Sequence, residues 1–165
     1  MTYRHIPLLF ALALPLACAT ETAPPQEAPE EAATLERHYV NPRTAADADL
    51  PPFSGGVMVG DTFYVAGTIG LLPDQTVPDT AQEEARLVMT SVQNTLEAAG
   101  LTMDDLTFVQ VYSSDVADYD AFNEVYRTFF TQEYPARAYL GSGTLLFGAR
   151  FEVLGFATKR ASGAP

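Results

Sequence analysis

From Thr34 onward, apolar and polar positions alternate in a way that predicts short strands around two helices. The segment TLERHYV predicts a first strand, and LPPFSGG predicts a turn rich in proline and glycine. The runs GVMV and TFYVAGTIG are β-rich and flank Gly60 and Asp61. Two such runs across a Gly-Asp turn predict a β-hairpin.

Both predicted helices begin at a polar residue that suits a helix N-terminus. Thr80 and Glu83 have the spacing of a capping box, and Gly100 ends the periodic stretch that follows. Apolar positions recur there every three or four residues, at Ala81, Ala85, Val88, Val92, Leu96 and Ala99. Asp118 is expected to cap the second helix. The inner stripe of that helix consists of Tyr119, Phe122, Tyr126 and Phe129.

Three further strands complete the predicted domain. LTFVQVYSS alternates between the helices, and ARAYLGSG and ARFEVLGFAT follow the second helix. The order β-β-β-α-β-α-β-β favours an α+β fold in which two helices cover one face of a mixed sheet. We expect this domain to span residues 34–160 and the last residues, 161–165, to be disordered.

Residues 1–17 have the composition of an export signal. Arg4 precedes the apolar run IPLLFALALPLA, which is too short to span a bilayer. A buried N-terminal helix is the alternative, but Pro7 and Pro15 interrupt the run. We therefore expect an exported protein in the periplasm or the cell envelope.

Cys18, the only cysteine, fits two ways of processing this signal. It follows LPLA, which resembles a bacterial lipobox and predicts a lipoprotein anchored through this cysteine. Ala17-Cys18-Ala19 also fits the small-x-small pattern of ordinary signal peptidase, and both interpretations stay open. Residues 18–33 are rich in Pro, Glu and Ala, lack large apolar side chains and predict a disordered tether.

Charge and composition disfavour several classes of function. The formal net charge is −12 and becomes −13 once a leader containing Arg4 is removed, which disfavours nucleic acid and anionic lipid as partners. A lipid anchor at Cys18 is therefore the only membrane contact we expect. One cysteine and two histidines, His5 and His38, suggest neither a disulfide nor a metal cluster, so no metal site is predicted.

Three polar residues are candidates for chemistry, and each has a plainer alternative. Glu152 lies in an apolar strand and either points to water at a sheet edge or faces a cleft as an acid or base. Arg137 stands at the start of a strand and either forms a surface or interface ion pair or holds a substrate carboxylate. Asn123 borders the apolar stripe of the second helix and either stays solvated or reaches toward the sheet.

The segment EAAGLTMDDLTFVQVYSSDVADYDAFNEVYRTFF, followed by YPARAYL and FEVLGFA, resembles the RidA/YjgF family of enamine/imine deaminases. The resemblance covers residues 34–160 and implies a chorismate-mutase-like fold and a homotrimer with a ligand pocket between subunits. It also implies that Arg137 holds the substrate carboxylate, that Glu152 orients the attacking water, and that Asn123 shapes the same region. It implies no cofactor.

Three segments depart from the family pattern around the implied pocket. Pro52-Phe53-Ser54 stands where the family usually has GPYS, so an aromatic hydroxyl is missing. Ala66-Gly67-Thr68 replaces SGQ, which removes a serine hydroxyl and an amide. Tyr139 replaces a small residue two positions after Arg137, on the same strand face. We expect a partly filled, less polar pocket and a shifted substrate. The residues expected to bind substrate are Phe53, Ala66, Gly67, Asn123, Arg137 and Tyr139.

The sequence therefore predicts hydrolysis of a 2-imino or enamine carboxylic acid to a 2-keto acid and ammonia, without metal or organic cofactor. The expected compartment favours a second hypothesis, because the imino acids usual for the family arise in the cytoplasm. That hypothesis is a non-catalytic envelope module that binds a small carboxylate or carbonyl compound. A third, the nuclease or translation-inhibitor activity sometimes attached to the family's name, fits poorly with the negative charge.

Overall fold

The computed structural model describes residues 35–41 and 52–159. Within them the strands and helices follow the predicted order, with short 3-10 turns between some of them. The strands are β1 (Arg37–Val40), β2 (Gly56–Val59), β3 (Thr62–Ile69), β4 (Leu106–Ser113), β5 (Ala136–Gly141) and β6 (Phe151–Thr158), and the α-helices are α1 (Ala81–Ala98) and α2 (Tyr119–Tyr126). The predictions of a leader, of processing at Cys18, of a tether and of a C-terminal tail fall outside the described residues.

These six strands form one mixed sheet in the order β1-β2-β3-β6-β4-β5. β4 and β5 run parallel, and the other neighbouring pairs are antiparallel. The last strand, β6, is thus inserted between β3 and β4. β2 and β3 meet at the predicted turn, where Gly60 has a φ of +58°, a backbone conformation that suits glycine. The predicted α+β fold, a mixed sheet with two helices, is confirmed.

α1 packs on the sheet through the apolar stripe that the sequence predicts. Thr80 Oγ1 accepts a hydrogen bond from the Glu83 N–H at 3.2 Å, and Gly100, with a φ of +74°, follows the helix end. The buried residues of the stripe are Ala81, Ala85, Val88, Val92 and Leu96. They belong to one core with the inner face of the sheet, which includes Phe63, Val109, Val111, Phe151 and Val153. None of the helices within the described ranges is both long and apolar enough to cross a membrane.

The start of α2 differs from the prediction. Asp118 forms no side-chain cap, because its φ of −78° and ψ of 3° are not the extended backbone of a capping residue. The Asp115 side chain instead accepts a hydrogen bond from the Ala117 N–H at 2.9 Å and starts a 3-10 turn ahead of the helix. Phe122 is buried as predicted, but Tyr119 is 44% exposed and does not belong to the buried stripe.

A buried ion pair connects α1 to the start of β6. Glu84 is fully buried, and its carboxylate accepts hydrogen bonds from the backbone N–H groups of Arg150, at 2.5 Å, and Phe151, at 3.0 Å. The Arg150 guanidinium donates to the same carboxylate at 2.9 Å and to two carbonyl oxygens just before α1. Because both charges are hydrogen-bonded, the pair holds the first residues of β6 against the helix.

The outer face of the sheet, opposite the helices, carries a row of aromatic side chains. The ring centroids of Tyr64 and Phe156 are 5.3 Å apart, and those of Phe108 and Phe156 are 5.8 Å apart. Tyr64 is 46% exposed and Phe156 is 37% exposed. A single chain therefore presents an apolar sheet face to its surroundings.

Candidate active site

The first group of candidate residues, which we call the arginine half-site, consists of Asn123, Arg137 and Tyr139 on the inner face of the sheet. Arg137 lies in β5 as the partner of the buried Val109, and its Nη2 donates to Oδ1 of Asn123 at 2.6 Å. Asn123 is 6% exposed, so the interpretation of a solvated boundary residue is wrong. Its amide reaches the sheet and orients the guanidinium.

Aromatic rings surround the Arg137 guanidinium. Its central carbon lies 4.4 Å from the ring centroid of Tyr126, 5.8 Å from that of Tyr119 and 5.9 Å from that of Phe122. Within the described ranges of one chain Arg137 forms no ion pair, so the interpretation of a surface ion pair is wrong there. The interpretation of an ion pair at a subunit interface stays a prediction. A guanidinium held against ring faces keeps its charge and remains able to bind an anion.

Tyr139 lies on the same strand face as Arg137, as the period of two predicts. Its ring packs edge-on against Tyr119, with centroids 5.0 Å apart, and against Phe122, with centroids 5.7 Å apart. Burial raises the pKa of the Tyr139 hydroxyl, and the Ser113 side chain partly opposes that shift. Ser113 lies two positions beyond Val111, the β4 partner of Tyr139, so the hydroxyl is directed along the strands away from Arg137.

The second group, the glutamate half-site, consists of Phe53, Ala66, Gly67 and Glu152. Glu152 is half-buried on the outer face of β6, as the partner of Ile69 in β3. A Cβ on Gly67 would lie 2.3 Å from Oε1 of Glu152, so the missing side chain leaves the space that the carboxylate occupies. Within the described residues the carboxylate forms no hydrogen bond or ion pair, which leaves it available to water or a ligand.

Ala66 directly precedes Gly67 in β3, and Phe53 lies in the segment before β2. The Ala66 N–H donates to the Gly55 carbonyl at 2.9 Å, at a point where the β3–β6 register shifts. This bond holds the segment that carries Phe53 beside β3, and Phe53 itself is 58% exposed. Because β6 is an interior strand of the sheet, the interpretation of Glu152 as an edge-strand residue is wrong.

The two half-sites lie on opposite faces of the sheet within one chain. Arg137 pairs with Val109, and Val109 pairs with Gly155, so these three residues share one face of the sheet. Glu152 lies three residues before Gly155 in β6, and an odd number of residues along a strand leads to the opposite face. Neighbouring strands are about 4.8 Å apart, so β5 and β6 are separated by about 10 Å across the sheet. One chain therefore does not present both charged groups to the same small ligand.

Glu84 and Tyr126 are two functional or structural residues that the sequence pattern does not single out. Glu84 lies one turn before Val88 on the buried side of α1, and a charged residue in an apolar stripe is a signal that could have found it. Its partner Arg150 is 66 residues away in the chain, and periodicity gives no information on such a pair. The periodicity assigns Tyr126 to the inner stripe of α2, but it gives no sign of the contact between its ring and Arg137.

Comparison with known proteins finds relatives by sequence. A family profile described as Endoribonuclease L-PSP matches residues 44–159. The 2-iminobutanoate/2-iminopropanoate deaminase of Capra hircus is 34% identical over 110 residues, which are 66% of this chain and 80% of the relative. A RutC family protein of Saccharolobus solfataricus is 38% identical over 94 residues, which are 56% of this chain and 75% of the relative.

Solved structures share the fold. The YjgF gene product of E. coli has a TM-score of 0.64 and 29% identity, and the match covers 68% of this chain and 92% of that one. E. coli TdcF, solved with bound serine, has a TM-score of 0.64 and 28% identity over 68% of this chain and 91% of that one. RidA from an Antarctic Psychrobacter has a TM-score of 0.62 and 28% identity, and the match covers 67% of this chain and 91% of that one.

Proposed function

The chain belongs to the RidA/YjgF family, whose profile is described as Endoribonuclease L-PSP, and we propose on this premise that it is an enamine/imine deaminase. The substrate would be a 2-imino or enamine carboxylic acid and the products a 2-keto acid and ammonia. The name of the Capra hircus relative, a 2-iminobutanoate/2-iminopropanoate deaminase, supports this reaction class.

The observation that carries the proposal is the oriented arginine, which has no carboxylate partner among residues 35–41 and 52–159. Asn123 holds one nitrogen of Arg137 at 2.6 Å, and ring faces surround the guanidinium. An arginine that balanced structural charge would have an acidic neighbour, as Arg150 has in Glu84. A ligand carboxylate supplies the missing negative charge through a charge-assisted hydrogen bond, worth about 1.5 to 3 kcal/mol.

We propose further that the active site forms between copies of the chain in a homotrimer. The two half-sites lie on opposite faces of one sheet, so Arg137 of one copy has to meet Glu152 of another. The exposed aromatic row on the outer face supports such an assembly, because burying it removes apolar surface from water. Sedimentation of the purified protein tests this, and a monomer with full activity would contradict it.

In this reaction Glu152 acts as the general base. It takes a proton from a water molecule as the water oxygen bonds to the imine carbon, and the C=N electron pair moves onto nitrogen. The proton is then passed to nitrogen, which gives a carbinolamine. Glu152 next takes the proton of the new hydroxyl group and passes it to the amino nitrogen, so that the C–N bond breaks, ammonia leaves and the C=O bond of the keto acid forms. General-base catalysis of this kind contributes about 10² to 10⁴ in rate.

The substrate is proposed to differ from that of typical relatives. Phe53, Ala66 and Tyr139 replace residues that would place small polar groups around the pocket. A pocket that retains its charged groups and loses neutral hydrogen-bonding groups favours a less polar substituent on the imino acid. Comparing kcat/KM for imino acids with alkyl, hydroxyalkyl and aromatic side chains would measure this shift.

The reaction is tested by generating an imino acid in situ and following keto-acid release by the purified protein. The rate should exceed that of buffer and should fall strongly in Arg137→Ala. Arg86→Ala, which removes an exposed arginine from α1, is the matched control. A rate equal to buffer, or an unchanged rate in Arg137→Ala, would refute the proposed activity.

A second candidate function follows from the expected export. If residues 1–17 direct the chain to the periplasm or cell envelope, it is separated from cytoplasmic sources of imino acids. The same pocket would then bind a small carboxylate or carbonyl compound without turnover. Thermal-shift screening separates the two functions, because a stabilising compound recovered unchanged indicates binding alone. Lipid labelling that disappears in Cys18→Ala would establish the anchor.

A further inference from the structure

Two polar atoms in the crevice between α2 and β5 are buried without a hydrogen-bond partner in the described part of the chain. They are Nη1 of Arg137 and the hydroxyl oxygen of Tyr126. Tyr126 is only 4% exposed. Buried polar atoms in native proteins nearly always have a partner, so unpaired ones indicate where a water, an ion or a ligand belongs.

The side chains that carry these two atoms stack on each other. The guanidinium carbon of Arg137 lies 4.4 Å from the ring centroid of Tyr126, and its Nη2 is already bonded to Asn123. Asn123 and Tyr126 are three residues apart on α2 and therefore share one side of that helix. The hydroxyl of Tyr139 is also buried, but it is directed toward Ser113 and is not part of this pair.

Both atoms can donate a hydrogen bond, so one ligand with acceptor oxygens could pair with both of them. Guanidinium nitrogen only donates, and burial raises the pKa of Tyr126 to about 12 despite the opposing charge of Arg137, which keeps the phenol protonated at neutral pH. Phe130, with its ring centroid 4.7 Å from that of Tyr126, helps to exclude water. A carboxylate, with two acceptor oxygens and a negative charge, suits this pair of donors.

We propose that Tyr126 is a ligand-binding residue, whose hydroxyl donates together with Nη1 of Arg137 to the carboxylate of the substrate. The identity of the ligand as a 2-imino or 2-keto acid rests on the proposed function. Tyr134 is 57% exposed, and its ring centroid lies 6.3 Å from that of Tyr126. Its ring therefore lies at the solvent-exposed side of the Tyr126 ring.

The test is calorimetric titration of the purified full-length protein and of Tyr126→Phe with 2-oxobutanoate. The variant retains the ring that stacks on Arg137 and loses only the hydroxyl. Its Kd should rise about 10- to 150-fold, the loss of one hydrogen bond to a charged group. Its melting temperature without ligand should be unchanged or higher, because the removed hydroxyl has no protein partner. Tyr39→Phe, the same change at a 63% exposed position in β1, is the control.

Weaker binding combined with an undiminished melting temperature would support the inference. It is overturned if Tyr126→Phe binds within about twofold of the native protein. A melting temperature lowered by several degrees would also overturn it, since the hydroxyl would then have a structural partner such as a buried water. So would a native protein that binds no 2-oxobutanoate. Failure of the proposed function is a separate result, namely absence of keto-acid release by a protein that still binds the keto acid.

Discussion

The arginine half-site and the glutamate half-site are built by opposite means. Arg137 is held by contacts within its own chain, with an amide on Nη2 and aromatic rings around the guanidinium. Glu152 has no hydrogen-bonding partner in the described residues and owes its position to the missing side chain of Gly67. The first half-site is therefore packed against the core, and the second is a half-exposed position on the outer face.

Because the two half-sites are held differently, substitutions in them should affect stability and activity differently. Substitutions in the arginine half-site break contacts that also hold α2 to the sheet, so they should affect folding and ligand binding together. Substitutions in the glutamate half-site break few contacts of a single chain, so they should affect catalysis alone.

Glu152→Gln should produce the largest effect and should confine it to catalysis. Loss of the general base lowers kcat by about 10² to 10⁴, whereas the unfolding free energy changes by no more than about 0.5 kcal/mol, since the carboxylate is half-exposed and unpaired. Keto-acid release and urea unfolding measure the two quantities. A substantial loss of stability in this variant would remove the contrast between the half-sites.

Asn123→Ala should affect stability and binding together. It leaves Nη2 of Arg137 without its acceptor at a part-buried position, which costs about 1 kcal/mol of unfolding free energy. The guanidinium also loses its orientation, so 2-oxobutanoate should bind more weakly. Asn94→Ala, at an exposed position of α1, is the matched control and should change neither quantity. If Asn123→Ala binds 2-oxobutanoate more weakly but keeps the native unfolding free energy, the Asn123 amide does not help to hold α2 against the sheet.

Most of the fold could be predicted because its signals are local. The hairpin at Gly60, the capped helix α1 and the alternation in β4 and β6 each depend on residues close together in the chain. The period of two also correctly placed Arg137 and Tyr139 on one strand face. Asp118 shows the limit of such signals, because Asp115 offers the same cap three residues earlier and starts a turn there.

The arrangement of the site could not be predicted, because it depends on the order of strands in the sheet. Inserting β6 between β3 and β4 turned a supposed edge position at Glu152 into an interior one. The face that each charged residue occupies is decided by where α2 packs, and no pattern within β5 or β6 reports this. The roles given to Arg137 and Glu152 came from the family resemblance, and they remain predictions.

Gly67→Ala should reduce activity through Glu152 without unfolding the protein. The new Cβ would lie 2.3 Å from Oε1 of Glu152, so the flexible carboxylate shifts aside and loses its position over the water. Such a displacement should cost about 10-fold in kcat. In the Glu152→Gln background the same change should have almost no further effect, because the group it acts on is gone. If the losses of kcat in Gly67→Ala and Glu152→Gln multiply in the double variant, Gly67 does not act through Glu152.

The smallest expected effect concerns Tyr126, which packs against the arginine half-site, and the unfolding free energy at high pH. Burial raises the pKa of Tyr126 from 10.0 to about 12. Between these values the unfolded chain releases a proton that the folded chain retains, so the unfolding free energy falls as pH rises. Tyr126→Phe should show a fall smaller by about 1 to 2 kcal/mol over this range.

Tyr39→Phe, at an exposed position, should follow the native curve. Identical alkaline curves for the native protein and Tyr126→Phe would mean that the phenol is solvated in the folded state, and the ring beside Arg137 would then no longer count as part of the core.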